Sequence, residues 1–394
     1  MPQRTPLAEW HEKNGGRMVD FAGWFMPVQY SSIVSEHLAT RENAGIFDVS
    51  HMGRVAIEGN KAVEWLESML TRQVSDLPVG RARYTLITGV AATDDSVDLD
   101  GAPVILDDAL VTRLADHMDG SQRFILVVNA SNRQRVVRWL EARLPSEGVT
   151  MKDTTVESAM IAVQGPRVFG HKTEHVFEGP LGSVFGEKIL QELAALPNYG
   201  VLETQVSGEP VVVSRTGYTG EDGVEIILNA SQSQGLWEGL VQKGGAVPCG
   251  LGSRDTLRLE AAMPLYGHEL CEKTDPFSAG LGFAVNLDGR DFPGAEELRT
   301  RRDASDCRRV GLVFESRRAA RGGDHVMEIQ NGTDTVCGEI TSGSFSPTCE
   351  RGIALALVDQ AVVGQECELE VLVRGVRLPV KIVSLPFYRR PGHD

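Results

Sequence analysis

The chain has no run of about 18 uncharged apolar residues, the length a helix needs to span a bilayer, so its 394 residues hold no candidate membrane span. No C-x-x-C pair occurs among its six cysteines (Cys249, Cys271, Cys307, Cys337, Cys349 and Cys367), all of which lie toward the C-terminus. A zinc site on paired cysteines is therefore not expected, nor any other metal centre. Met1–Leu7 leads into mixed polar sequence with no apolar core of a secretory signal, so the thiols are expected to stay free and the expected address is cytoplasmic. Basic residues are scarce: Lys plus Arg number 39 against 54 for Asp plus Glu, a net charge of −15. A surface of that sign repels phosphate backbones and anionic lipids, so neither nucleic acid nor membrane is expected as a partner. Internal repeats and low-complexity tracts are absent too.

What is present is a globular composition, 42% apolar and 24% charged, enough for real cores. At roughly 100–200 residues per domain the length predicts two to four domains. From Asn60 to Thr71, Ala62, Trp65, Leu66, Met69 and Leu70 fall at helical spacing. Arg83–Thr88 and Phe124–Asn129 read as strands, and Val136, Val137, Leu140 and Leu144 define one face of a helix ending at Pro145. Met160–Gln164, Val211–Ser214 and Val224–Leu228 read as further strands, with helices near 232–242 and 253–263 and a hairpin with an irregular loop at Gly217–Gly223. Gly217, Gly220 and Gly223 are spaced like a phosphate-binding loop, yet a strand and not a helix follows them, which argues against a nucleotide site. Beyond residue 300 the helical period vanishes. Six short strand patterns, Arg309–Glu315, His325–Gln330, Val336–Thr341, Ile353–Val358, Glu366–Val373 and Arg377–Ser384, predict an antiparallel β domain, most simply a barrel.

Gly89–Asp108 holds six aspartates (Asp94, Asp95, Asp98, Asp100, Asp107 and Asp108) and no Lys or Arg, and so carries −6 of the −15. Ser96, Asp98, Asp100 and Asp107 approach the ligand spacing of a calcium loop, but the final ligand is not the bidentate Glu and no helices flank it, so a solvated acidic loop is the expectation. Asp107-Asp108 is a separate matter. It sits between Val104-Ile105-Leu106 and Ala109-Leu110-Val111, and neighbouring strand residues face opposite ways, so one carboxylate must point inward.

Met18–Tyr30 (Met-Val-Asp-Phe-Ala-Gly-Trp-Phe-Met-Pro-Val-Gln-Tyr) and Phe47–Gly53 (Phe-Asp-Val-Ser-His-Met-Gly) closely resemble the N-terminal signature of the aminomethyltransferases of glycine cleavage, the T-protein family. The resemblance continues in order through Ile105–Asp108, Val127–Ala130, Val163–Pro166, Arg215–Gly223, Gly250–Glu260 and Thr341–Thr348, and covers Thr5 to Arg390. It implies an α+β fold of three domains in a cloverleaf around a central folate pocket, with a C-terminal antiparallel β-barrel. In this sequence the domains would be 1–50 with 150–285, then 51–149, then 300–394.

The activity the resemblance implies is transfer of the methylene group of an aminomethyl-lipoyl H-protein to tetrahydrofolate, with release of ammonia. It implies tetrahydrofolate as acceptor and lipoylated H-protein as transient partner. By the same resemblance Asp108 is the catalytic carboxylate and Arg254 the active-site arginine, placed to keep that carboxylate ionised and oriented. Glu225 would meet the pterin, Tyr84 and Tyr218 would line the folate site, and Asn129 would contact the ligand; Tyr199 matches only loosely. His51 falls in a signature segment that reads as structural and His268 follows a Gly at a turn, and neither is needed as a base when Asp108 serves. The chain departs from the family pattern at Gly89–Val104, longer and more acidic than the short Gly-Gly turn expected there. A reshaped donor entrance keeps open a paralogue that uses tetrahydrofolate with another small donor: an N-methylated glycine, a sulfonium compound or an aryl methyl ether. A non-catalytic folate-binding relative is a weaker alternative, since its Lys-Gly-Cys-x-x-Gly-Gln segment is missing.

Overall fold

The computed structural model describes residues 1–90, 103–170, 179–302, 304–330, 333–365 and 367–391; Asp94, Asp95, Ser96, Asp98 and Asp100 of the acidic segment lie outside these. The architecture is mixed α+β, and the chain forms two compact units interleaved along the sequence. The first comprises Met1–Leu66, Val74–Tyr84 and Ala109–Asp255, the second Glu67–Gln73, Thr85–Asp108 and Thr256–Asp394.

In the first unit, Ser158–Gln164 is apolar along nearly its whole length and has no face to offer water. Such a strand belongs inside a sheet covered on both sides. Gly223–Asn229 and Gly45–Asp48 pair with it, both antiparallel. The full sheet has six strands in the order Val201–Val206, Glu209–Ser214, Gly223–Asn229, Ser158–Gln164, Gly45–Asp48 and Val247–Pro248, the last pair being parallel. Trp10 of helix Ala8–Lys13 and Trp237 of helix Ser233–Glu238 meet edge to face at 5.4 Å over the core built on Ile161, Val163, Val213 and Ile226. Side chains of this size contribute roughly 1.5–3 kcal/mol each on burial.

A second sheet has five strands in the order Arg81–Val90, Pro103–Arg113, Gln122–Val128, Gly53–Gly59 and Thr150–Asp153. Helix Arg133–Glu141 buries Val136 and Leu140, four apart on one face as the sequence pattern requires. The helix expected over 60–71 is shorter, Ala62–Glu67. Its continuation is unwound in the second unit, where Arg290 takes carbonyls that a longer helix would use: Nη2 donates to Glu67 (2.6 Å) and Leu70 (2.9 Å), Nη1 to Thr71 (2.7 Å).

The second unit closes six antiparallel strands into a barrel: Cys307–Phe314, Arg351–Asp359, Thr333–Ser346, His325–Gln330, Glu368–Val373 and Val376–Val383, which returns to the first. Closure removes the edge strands that would invite aggregation. Leu312, Phe314, Val326, Ile340, Ala354 and Val358 fill the interior. Each expected strand is found, and Thr333–Ser346 runs longer than its sequence pattern because a bulge at Ile340/Ser342 shifts the register mid-strand. Thr341 stands at that shift, its hydroxyl donating to Glu269 at 2.6 Å.

Candidate active site

The loop between Ser214 and Gly223 is clamped from below. Gln164 donates to the carbonyls of Thr216 (3.1 Å) and Val224 (3.3 Å) and accepts from the Thr219 hydroxyl (3.0 Å). Arg41, buried, donates to the Thr219 carbonyl at 2.7 Å and the Glu221 carboxylate at 2.9 Å. At Gly223 (φ +159°) a Cβ would stand 2.3 Å from the Val163 carbonyl oxygen, so only glycine lets the strand start this close to its neighbour. Tyr218 therefore projects from a rigid support, half-buried.

Glu225 sits two residues into the strand that follows. It is buried, and its Oε2 accepts from the Thr216 hydroxyl at 2.5 Å. Arg254 rises from the first turn of helix Leu251–Glu260 and lays its guanidinium over the Tyr218 ring, 5.0 Å from the centroid. Burial pulls the Arg254 pKa below its ordinary value, and the Glu225 and Tyr218 side chains oppose that shift. One donor of the cluster is left unsatisfied. The Nη1 of Arg254 is sealed from solvent and has no hydrogen-bond partner among the described residues. An orphaned cationic donor is costly, and its cost is removed when a ligand supplies an acceptor. A cation lying on a phenol ring beside a carboxylate suits a flat heteroaromatic ligand that carries both acceptors and N–H donors.

His51 belongs to the surroundings of this cluster. It is buried, edge-on to Phe21 at 5.7 Å, with Nδ1 unpartnered among the described residues. Burial pushes its pKa down to about 4; Asp48 opposes this, while Arg254 and Arg54 reinforce it. The imidazole is thus neutral near pH 7 and adds no second positive charge beside Arg254.

Tyr84 lies on strand Arg81–Val90 and Asn129 directly after Gln122–Val128, both half-buried on the five-stranded sheet. Tyr199 is 42% exposed, in left-handed backbone (φ 62°), and its backbone bridges Arg215 and Ala82. On strand Pro103–Arg113, Asp107 is fully buried and Asp108 half-buried, the alternation the flanking apolar residues require. In the second unit the Tyr266 hydroxyl donates to the carbonyl of Ile105, two residues before the pair, at 3.0 Å. His268 is exposed, with Nδ1 at 3.0 Å from the Thr341 carbonyl. Gln164 and Thr216 fall inside the family-like segments Val163–Pro166 and Arg215–Gly223 but carry no role by that resemblance, and Arg41 sits on a helix that reads as surface by hydropathy; their place beneath the loop shows only in the fold.

Two family models together span the chain: the GCVT N-terminal domain matches residues 7–289 and the glycine cleavage T-protein C-terminal barrel domain residues 308–389. A relative named aminomethyltransferase from Symbiobacterium thermophilum is 42% identical over 398 residues, 99% of this chain and 98% of its own. Another of that name, from Rubrobacter xylanophilus, is 41% identical over 399 residues, 100% of this chain and 96% of its own. The chain belongs to the aminomethyltransferase family of glycine cleavage. A crystal structure of the glycine cleavage system aminomethyltransferase T from Bartonella henselae agrees, with TM-score 0.82 at 32% identity over 99% of both chains. Membership makes this an α+β transferase with the family's C-terminal barrel. Among the described residues no group of His, Cys, Asp and Glu is gathered as for a metal ion, and no helix is long and apolar enough to cross a membrane.

Proposed function

We propose that the chain transfers the methylene carbon of an aminomethyl-lipoyl H-protein to tetrahydrofolate and releases ammonia. The observation that carries the folate part of this reading is the orphaned Arg254 Nη1 beside the Tyr218 ring and the buried Glu225 carboxylate. Arg254 and Tyr218 bind and orient the flat ring system, and Glu225 accepts its N–H groups, a carboxylate being able to take two. Thr216 holds Glu225 in the orientation that does so. Tyr84 and Asn129 are proposed as further folate contacts. Tyr199, the most exposed of the set, would act only at the rim.

The chemistry fixes what the protein must do with protons. The carbon leaves a sulfur and an amine nitrogen and joins two nitrogens of the acceptor; two N–H protons are lost there, one ending on the departing amine and one on the lipoyl sulfur. We assign the proton handling to Asp108, the half-buried member of its pair, while fully buried Asp107 anchors the strand. Six free thiols accord with a reducing cytoplasm, where we place the protein. The test is ammonia release from aminomethyl-loaded H-protein with tetrahydrofolate. Asp108→Asn is expected to lower kcat by roughly 10²–10⁴-fold with an unchanged circular dichroism spectrum. Full activity of that variant removes Asp108 from the mechanism.

A further inference from the structure

Glu36 is a buried carboxylate in the first turn of helix Ile33–Glu42, and among the described residues it has no ion-pair partner. Four donors satisfy it instead. Oε1 accepts from the backbone N–H groups of Tyr30 (2.6 Å) and Ser31 (3.0 Å). Oε2 accepts from the backbone N–H of Gly250 (2.8 Å) and the hydroxyl of Ser253 (3.3 Å). The second pair lies at the start of helix Leu251–Glu260, and Ser253 is the neighbour of Arg254. Gly250 completes the attachment: a Cβ there would stand 2.3 Å from the Val28 carbonyl carbon, so the helix start is pressed onto the backbone just before Tyr30. Its carbonyl in turn accepts from the Arg254 N–H at 3.2 Å, and it lies 2.9 Å from the Ser253 hydroxyl, whose single proton is shared between this carbonyl and Glu36. One side chain thus ties the segment after strand Trp24–Gln29 to the turn from which Arg254 springs. Only an all-acceptor group can do this, since an amide in its place would aim an NH₂ at two of the four donors.

We infer that Glu36 is a positioning residue for Arg254, holding the helix start so that the guanidinium lies over Tyr218 with Nη1 free for the folate. This rests on the folate-site reading of Arg254 given above. Of its four partners, Gly250 and Ser253 are the two at the helix start, and its effect on the reaction passes through the arginine they position.

A double-substitution cycle tests it. With KM for tetrahydrofolate and kcat read in the ammonia-release assay, Glu36→Gln raises KM about tenfold with kcat changed less than threefold. In an Arg254→Lys background the same substitution changes KM less than twofold. Ser253→Ala, which removes one of the four bonds and leaves the carboxylate in place, gives a smaller KM increase of about two- to threefold, likewise lost in the Arg254→Lys background; this variant decides the matter if Glu36→Gln does not fold. Equal fold-changes in both backgrounds would show a purely structural role and overturn the inference while leaving the folate site standing. An Arg254→Lys enzyme with unaltered KM and kcat would overturn the folate-site reading itself, and the inference with it.

Discussion

Arg254 combines three conditions that pull against each other: burial, a stacked aromatic ring and an unsatisfied N–H. Burial of a guanidinium costs free energy, and Glu225 and Tyr218 offset it only in part, so an acceptor supplied by a ligand would lower the remaining cost. Lysine retains the charge and loses both the planar stack and the second donor. Arg254→Lys is therefore expected to weaken tetrahydrofolate binding about tenfold or more in a calorimetric titration, since each lost tenfold corresponds to about 1.4 kcal/mol. His51 makes a second prediction at this scale. Its native pKa of about 4 lies below the ordinary 6.5 because burial disfavours the cation. Between those values the unfolded chain binds a proton that the native one does not, so stability falls as pH drops from about 6.5 to 4 and levels off for this group below that. The full effect is up to about 3 kcal/mol. In His51→Gln the slope of urea-unfolding stability against pH over that window should flatten by up to about 1.4 kcal/mol per pH unit; an unchanged slope would remove His51 as its source. Of the residues involved, the Asp107-Asp108 alternation was readable from the apolar flanks alone, whereas Arg254, Tyr218 and Glu225 became legible only through resemblance. A helix-start arginine, a loop tyrosine and a strand glutamate carry no local signal that they converge.

Among the elements, those bearing a clean period were legible: the core strand Ser158–Gln164, the helix Arg133–Glu141 and the six barrel strands, each with an apolar face that must be buried. Helix Ile33–Glu42 was not, because its buried positions include Glu36, His37, Thr40 and Arg41, which read as surface by hydropathy. Glu36 and Arg41 are inside with hydrogen-bonding partners at Gly250 and Ser253 and at Thr219 and Glu221, and that is information distant in sequence. The helix expected at 253–263 begins earlier, at Leu251, and stops at Glu260, where Ser346 and Thr348 of the same unit bond to the Glu260 carboxylate. The start of this helix carries the element-scale prediction. Gly250→Ala would force a methyl group into the Val28 backbone, and overpacking of this kind costs about 1–3 kcal/mol. The expected outcome is a lower urea midpoint with an unchanged m-value, together with weaker folate binding, since the displaced turn carries Arg254. Wild-type stability in that variant would show that the contact relaxes freely.

For the molecule as a whole, the net charge of −15 divides unevenly: −6 resides in Gly89–Asp108, and the remaining −9 is spread over the rest of the chain. Composition could bound the number of domains, but it could not reveal that the two compact units interleave, each drawing on three separate stretches of sequence. That interleaving is a property of long-range pairing, which no local window records. What the full chain is built to do is move one carbon between two carriers, and the most direct test follows that carbon. H-protein bearing a ¹³C-labelled aminomethyl group is mixed with the protein and tetrahydrofolate, and label and ammonia are measured together. The expected result is ¹³C in methylenetetrahydrofolate in equal amount to the ammonia released. Ammonia without labelled folate, or tight folate binding with neither product, would contradict it.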